Sequence, residues 1–79
     1  MVTVVPLGKL ADLAGAPALQ LPAPLDWAGL KAAVPEALAA VLDDPRNRIA
    51  LNGALLADKG TLQAGEGDEI ALLPPVSGG

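Results

Sequence analysis

The 79-residue sequence contains no cysteine, histidine, tyrosine or phenylalanine, and Trp27 is its one aromatic residue. Without cysteine it cannot form a disulfide bond, a cysteine-based zinc site or a thiol nucleophile. Without histidine it has no side chain whose ordinary pKa lies near neutrality, and no Ser-His-Asp or Cys-His machinery. Since Ser77 is also the single serine, the sequence argues against a self-contained enzyme.

Positive charge is scarce as well. Nine acidic residues against five basic ones give a net charge of −4, which argues against a nucleic-acid partner, since phosphate binding needs lysine and arginine. The longest uncharged run, Leu13 to Leu25, is shorter than the roughly 20 residues of a membrane span and is broken by prolines. With no signal-peptide pattern at Met1, we expect a cytoplasmic protein without a membrane partner.

The first part of the sequence predicts two strands. Valines from Val2 to Val5 favour a strand that Pro6 ends or marks as an edge. Leu19 and Leu21 alternate with a polar residue, which is typical of a second strand. The two strands are expected to form an antiparallel hairpin with a long connection.

A helix is predicted next. Asp26 is a good N-cap residue, and Trp27, Leu30 and Val34 recur at helical spacing, so these three side chains are expected to face the core. Pro35 should interrupt the helix and restart it.

The continuation of this helix carries a second apolar stripe of Leu38, Val41 and Leu42. It ends at Asp43 and Asp44, where the helix dipole disfavours acids. The sequence offers no physical reason for this acidic pair.

The last part of the sequence predicts further strands. A strand begins at Arg48, and Asn52-Gly53 is a strong hairpin signal because both residues accept positive φ. Leu62 is expected to fill the core from an irregular segment. The final strand runs from Glu69 to Leu73, and alternation sends Leu72 into the core and Leu73 to the other face.

The predicted order is β-β-α-β-β-β, and one core satisfies every apolar stripe if a mixed sheet packs on the helix. We therefore expect an α+β fold of the β-grasp, ubiquitin-like class, with four to five strands packed on one main helix. The first and last strands should pair in parallel at the centre. Residues 1–73 form this domain, and residues 74–79 form an extended tail.

The tail carries the chemistry. Pro74 and Pro75 favour an extended exit, and Gly78 and Gly79 have no side chains. The reactive group is then the α-carboxylate of Gly79, which is ionised at pH 7 because its ordinary pKa is about 3.3–3.7. An ATP-using enzyme can convert it into an acyl-adenylate, and the absent Cβ atoms suit a narrow channel. The plainer interpretation is a frayed terminus.

The segment Gly67–Gly79, GDEIALLPPVSGG, resembles the C-terminal segment of the MoaD-like small subunit of molybdopterin synthase, a ubiquitin-like sulfur carrier of the MoaD/ThiS superfamily. Leu51–Gly53 resembles a turn of that family, and Leu10–Gly15 resembles the loop after its first strand. Leucines replace two phenylalanines that the family often has before Pro-Pro. The matching residues are Gly67, Asp68, Ile70, Pro74, Pro75, Val76, Gly78 and Gly79.

The resemblance implies a sulfur-transfer cycle. An adenylating (E1-like) enzyme would activate Gly79 with Mg-ATP, and a sulfur donor would convert it to a thiocarboxylate for molybdenum cofactor biosynthesis. The large subunit, in a heterotetramer, would supply the catalytic residues and hold the pterin precursor. This chain would itself bind no cofactor and no metal. The tail residues expected to bind the partner are Leu73, Pro74, Pro75, Val76, Ser77 and Gly78.

Three other functions stay open. The chain could carry sulfur for a different pathway such as that of thiamine, modify proteins through Gly79, or act as a non-covalent β-grasp adaptor. Glu66, Asp68 and Glu69 form an acidic cluster that the sequence places near the tail. That cluster is either a solvated turn or a device that steers the chain toward a basic partner.

Overall fold

The structure, a computed structural model, describes residues 1–75, which form two β-sheets and three α-helices. A short 3-10 turn covers Lys59–Thr61. The strands are β1 (Val2–Pro6), β2 (Leu19–Leu21), β3 (Leu25–Asp26), β4 (Arg48–Leu51), β5 (Ala54–Leu55), β6 (Gln63–Ala64) and β7 (Glu69–Leu73). The helices are α1 (Lys9–Ala14), α2 (Trp27–Ala33) and α3 (Glu36–Leu42).

The main sheet has five strands in the order β2-β1-β7-β4-β5. Strands β1 and β7 pair in parallel at its centre, with Val4 opposite Ile70. The other pairs are antiparallel, and β3 and β6 form a separate two-stranded sheet. This topology confirms the predicted mixed sheet of the β-grasp class, including its parallel central pair.

One hydrophobic core lies between the main sheet and the helices. The sheet contributes alternate residues, since the inward positions of β1 and β7 are buried while their neighbours are half-buried or exposed. Leu62 fills the core from an irregular segment and Leu72 from β7, as the sequence predicts. The largest fully buried side chains are Leu10, Leu30, Leu38, Leu42, Ile49, Leu62, Ile70, Leu72, Val2 and Val4.

The main helix is divided at Pro35, as the sequence predicts, into the two short helices α2 and α3. Val34 takes an extended conformation with ψ 162°, and α3 begins after Pro35. The proline imposes this break because its ring disfavours helical ψ at the preceding residue. The Asp26 side chain accepts from the Gly29 backbone N–H at 2.7 Å and caps α2 as predicted. Within residues 1–75, no helix has the length and apolar character to cross a membrane.

Trp27 differs from the core position that its spacing predicts. Its side chain is half-buried at the start of α2 and packs against the edge of the core. The indole Nε1–H donates to Asp43 Oδ1 at 3.3 Å, and the ammonium groups of Lys31 and Lys59 each lie 5.4 Å from the ring centroid. The indole N–H needs a polar partner, which keeps one side of the ring at the surface.

A lysine explains why acids can end α3. The Lys59 ammonium donates to the carbonyl oxygens of Leu42, Asp44 and Asn47 at 2.6, 2.9 and 2.9 Å. It thereby supplies the positive charge that the end of a helix favours. Hydrogen bonds from the Arg46 side chain and backbone lower the pKa of Asp44 to about 2. The hydrogen bonds from Lys59 to main-chain carbonyls and the Arg46–Asp44 ion pair thus hold the loop that leads into β4.

Candidate functional site: the tail root

The segment Leu73–Pro75, which we call the tail root, continues directly from the central strand β7. All three of its residues are half-buried. The predicted tail positions Val76, Ser77, Gly78 and Gly79 lie outside the described residues, so their roles stay predictions. The partner-binding roles expected for Leu73, Pro74 and Pro75 stay predictions too.

Strand β1 supports the tail root from one side. The Leu7 N–H donates to the Leu72 carbonyl at 2.9 Å and extends the parallel ladder to the last residues of β7. Pro6 occupies a buried position in this strand although it has no N–H. Its nitrogen faces the side where β2 has already ended, because β2 pairs with Val2 to Val4 alone. The proline therefore removes no ladder bond, as expected at an edge.

Gly8 lies close to the tail root at Pro74. It has φ +55°, a conformation that L side chains rarely adopt, and a Cβ placed there would lie 3.2 Å from Cγ of Pro74. A larger residue would press on the proline ring, and ring or loop would have to give way by a few tenths of an ångström. The loop between β1 and α1 therefore backs the first proline of the tail.

The sheet surface turned away from the core, which we call the outer face, is largely apolar near the tail root. Leu7 is 42% exposed and Leu55 is 53% exposed. Ala50 is 8% exposed and does not belong to the core cluster, and its pairing with Leu55 and Ala71 places it on the outer face. The apolar residues that strand alternation places there are Val5, Leu7, Ala50, Leu55, Ala71 and Leu73.

Apart from Leu73, this surface was not predicted from the sequence. The signal was present: β1, β4 and β7 carry apolar residues at both alternating positions, whereas a sheet with one face in water usually alternates apolar and polar. An exposed apolar patch of this kind is typical of an interaction surface.

Two cations flank the tail root. Arg48, the first residue of β4, lies opposite Leu73 on the outer face and is exposed. Lys9 follows Gly8 on the β1 side and is exposed too. Within residues 1–75, neither forms an ion pair. Because β1 and β4 border β7 on opposite sides, positive charge lies on both sides of the tail exit.

The acidic cluster lies elsewhere, which corrects its expected place near the tail. Glu66 and Asp68 belong to the turn before β7, and Glu69 is the first residue of that strand. Leu73 ends the strand four residues later, about 13 Å away at the usual rise per residue. Few residues separate the cluster from the tail in the sequence, which predicts that the two lie close together. Because those residues form an extended strand, the cluster and the tail lie at opposite ends of it.

The opposite end of β7 is held by a network of hydrogen bonds centred on Asn52. The Asn52 side chain donates to Asp68 Oδ1 at 3.0 Å and accepts from the Glu69 N–H at 2.9 Å. The Gly65 N–H donates to Asp68 Oδ2 at 2.8 Å. This bond and the one from Asn52 hold the pKa of Asp68 below its ordinary value. Glu66 pairs with the N-terminal amino group of Met1.

The arrangement can present a chain end but offers little chemistry of its own. No group of three or more acidic, histidine or cysteine side chains that could hold a metal ion occurs within residues 1–75. The acidic side chains of the turn before β7 are engaged in local hydrogen bonds or an ion pair. What the described part of the chain provides is a rigid strand, an apolar face and two cations around the start of the tail.

Comparison with known proteins places the chain in a family. The profile of the ThiS family matches residues 7–79. SAMP1 (small archaeal modifier protein 1) from Haloferax volcanii is 28% identical, with a TM-score of 0.70 and coverage of 99% of this chain and 98% of that one. No curated protein sequence matches.

A second similar structure is the protein–protein complex of subunits 1 and 2 of molybdopterin-converting factor from Helicobacter pylori 26695. A chain of that complex is 29% identical, with a TM-score of 0.68 and coverage of 99% of this chain and 97% of that one. Together with the β-grasp topology and the family match over residues 7–79, these likenesses show that the chain belongs to the ThiS family of ubiquitin-like sulfur carriers.

Proposed function

We propose that this chain is the sulfur-carrier subunit of a molybdopterin synthase and that Gly79, as the terminal residue of the mature chain, carries the sulfur. The tail root carries the proposal: a buried central strand passes without interruption into Pro74-Pro75, and Val-Ser-Gly-Gly follows in the sequence. The likeness to a chain in the complex of molybdopterin-converting factor subunits supports the choice of pathway.

The proposed chemistry takes place at one carbonyl carbon. The Gly79 carboxylate attacks the α-phosphorus of Mg-ATP on an adenylating enzyme, which forms an acyl-adenylate and releases pyrophosphate. Hydrosulfide from a sulfur donor attacks the acyl carbon and AMP leaves, so that one carboxylate oxygen is replaced by sulfur. The thiocarboxylate sulfur then attacks a carbon of the pterin precursor and displaces an oxygen leaving group, and water cleaves the resulting acyl–sulfur bond, which leaves the sulfur on the pterin and restores the Gly79 carboxylate. Because this cycle needs ATP, we propose that it takes place in the cytoplasm.

The division of labour follows from the residues present. The sequence has no histidine or cysteine, so acid–base and metal chemistry fall to the adenylating enzyme and to the large subunit, with which we propose a heterotetramer. The outer face beside the tail root offers these partners an apolar docking surface of half-buried and exposed residues. Such a surface near the tail holds the glycines in register while they enter a partner's channel.

Intact-mass measurement tests the carrier function directly. The purified chain is incubated with the adenylating enzyme encoded in the same genome, Mg-ATP and a sulfide source. We expect a mass gain that corresponds to one oxygen replaced by sulfur. Deletion of Gly79 should abolish the gain, while Ser77→Ala, a change in the same tail that leaves both glycines, should keep it.

The pathway needs a second step of the same experiment. The thiocarboxylated chain is mixed with the large-subunit homologue of the same genome and the pterin precursor. Sulfur transfer to the pterin supports the molybdopterin pathway. A thiocarboxylate that forms but is not consumed there would move the assignment to another sulfur-transfer pathway. The adenylating enzyme is first shown to be active on a carrier that it is known to use. If this chain gains no sulfur from that active enzyme, the carrier function is contradicted.

A protein modifier is the second candidate, because SAMP1 is as similar in fold and identity as the molybdopterin-converting factor chain. In that case Gly79 would be joined to lysine side chains of other proteins. An affinity-tagged chain expressed in its own host and recovered under denaturing conditions distinguishes the two. Covalent adducts that disappear when Gly79 is deleted would support the modifier, and recovery of free chain alone would support the carrier.

A further inference from the structure

We propose that the adenylating enzyme receives the tail through an apolar surface bordered by carboxylates, which pair with Lys9 and Arg48 on either side of the tail root. This inference rests on the proposed function and adds to it the chemistry of the partner's docking surface. It replaces the basic partner that the acidic cluster suggests when the sequence is considered alone.

The first reason is the position of the two cations. Arg48 lies directly opposite Leu73 in the register of β4 and β7. Lys9 comes immediately after Gly8, whose position is within van der Waals reach of Pro74. A partner that accepts the residues after Pro75 therefore approaches the two segments that carry these cations.

The second reason is that these two charges are available, whereas other cations are engaged. Lys31 pairs with Asp43, Arg46 pairs with Asp44, and Lys59 donates to three main-chain carbonyls. Within residues 1–75, Lys9 and Arg48 have no such partner. A carboxylate on a docked protein would give each of them a charge-assisted hydrogen bond.

The third reason is the polarity of β7 and its surroundings. The chain as a whole has a net charge of −4. An acidic partner would therefore repel the chain if this charge were spread uniformly over its surface. The acids Glu66, Asp68 and Glu69 lie at the far end of β7, while the tail end presents Arg48 and Lys9. This separation orients the chain, because an acidic surface attracts the tail end and repels the other.

Charges at the border of an interface act mainly on association. The test measures kcat and kcat/KM for Gly79 adenylation with the adenylating enzyme of the same genome. Pyrophosphate release is the readout. The variants are Lys9→Gln, Arg48→Gln and the double variant. Salt is set at about 0.01 M and about 1 M, where Debye lengths are about 30 Å and about 3 Å.

We expect the double variant to lose about ten-fold in kcat/KM at low salt and less than about two-fold at high salt, with kcat unchanged. Gln20→Glu is the matched control. It changes the net charge by as much as either single variant and lies on β2, beside Thr3 at the Glu69 end of the sheet. It should leave kcat/KM nearly unchanged, and thermal unfolding should show that every variant is folded.

Two results would overturn the inference while the proposed function stands. If Gln20→Glu reduces kcat/KM as much as Arg48→Gln, net charge matters and position does not. If the double variant reacts as fast as the unsubstituted chain at low salt, or faster, the partner's surface is not acidic. Failure of the unsubstituted chain to be adenylated would instead contradict the proposed function and this inference with it.

Discussion

The two ends of β7 differ in how they are held. At its beginning, Asn52 and Asp68 form side-chain hydrogen bonds that tie two turns together, and nearby Glu66 pairs with the amino terminus. At its end, the Leu7 N–H donates to the Leu72 carbonyl, β4 pairs with Leu73, and Gly8 lies close to Pro74. Polar groups are paired at the first end, and cations are unpaired within residues 1–75 at the second.

The difference separates the end that stabilises the strand from the end that we propose binds a partner, along one five-residue strand. Bonds at the turn end fix the register of β7 without any need for a partner. At the tail end, apolar surface and charged side chains stay available. Surfaces that bind partners commonly keep such groups without contacts inside their own chain. Three substitution pairs or series can break or sharpen this contrast.

The largest effect is expected from neighbouring leucines at the tail end. Leu72 is fully buried, so Leu72→Ala should lower the free energy of unfolding by about 2–5 kcal/mol, the usual cost of a core cavity. Leu73→Ala, on the outer face, should cost about 1 kcal/mol or less but reduce kcat/KM for adenylation. Urea unfolding followed by Trp27 fluorescence measures the first effect. Equal destabilisation by both variants would show that Leu73 belongs to the core.

An intermediate effect is expected at the turn end. Asn52 has φ +50° and makes two side-chain hydrogen bonds. Asn52→Gly keeps the backbone conformation and loses both bonds, so it should lower the free energy of unfolding by about 1–2 kcal/mol. Asn52→Ala adds the strain of a left-handed residue, about 1 kcal/mol more. Adenylation kinetics should be unaffected by either change, and a drop in kcat/KM would mean that the two ends are coupled.

The smallest effect is the contribution of Asp68 to acid stability. Its folded pKa is lowered by bonds from the Gly65 N–H and Asn52, so below the unfolded pKa, about 3.9, the unfolded chain binds more protons. The stabilisation is therefore complete above that pH and is lost as the pH falls through the folded pKa. Asp68→Asn should flatten the decline of the urea midpoint as the pH falls below about 4. If the urea midpoint of the variant declines as steeply as that of the unsubstituted chain, the decline is due to other carboxyl groups such as Asp44.

Much of the fold was predictable because local signals agree with one another. The valines of β1, the Asp26 cap, the break at Pro35 and the Asn52-Gly53 turn each depend on near neighbours, and each is found. The two-residue strands β3 and β6 have too few residues for a periodic pattern, and sequence reasoning did not find them.

The candidate site was predictable in part. The Pro-Pro-Val-Ser-Gly-Gly ending identifies the tail, and alternation puts Leu73 on the outer face. Nothing in the sequence pairs Arg48 with Leu73 or brings Gly8 to Pro74, since these contacts depend on strand register between distant segments. Trp27 was misplaced because helical spacing does not show that Asp43 and two lysines gather around its ring.

By itself the sequence determined the sheet-forming and helical segments and the class of fold, and it predicts a tail that ends in two residues without side chains. Those properties follow from residue type and short-range spacing. Only the tertiary structure decided that the acids lie about 13 Å of strand away from the tail root while Lys9 and Arg48 flank it. The positions of these charges depend on which strands become neighbours. Distant parts of the chain become neighbours because together they bury one hydrophobic core.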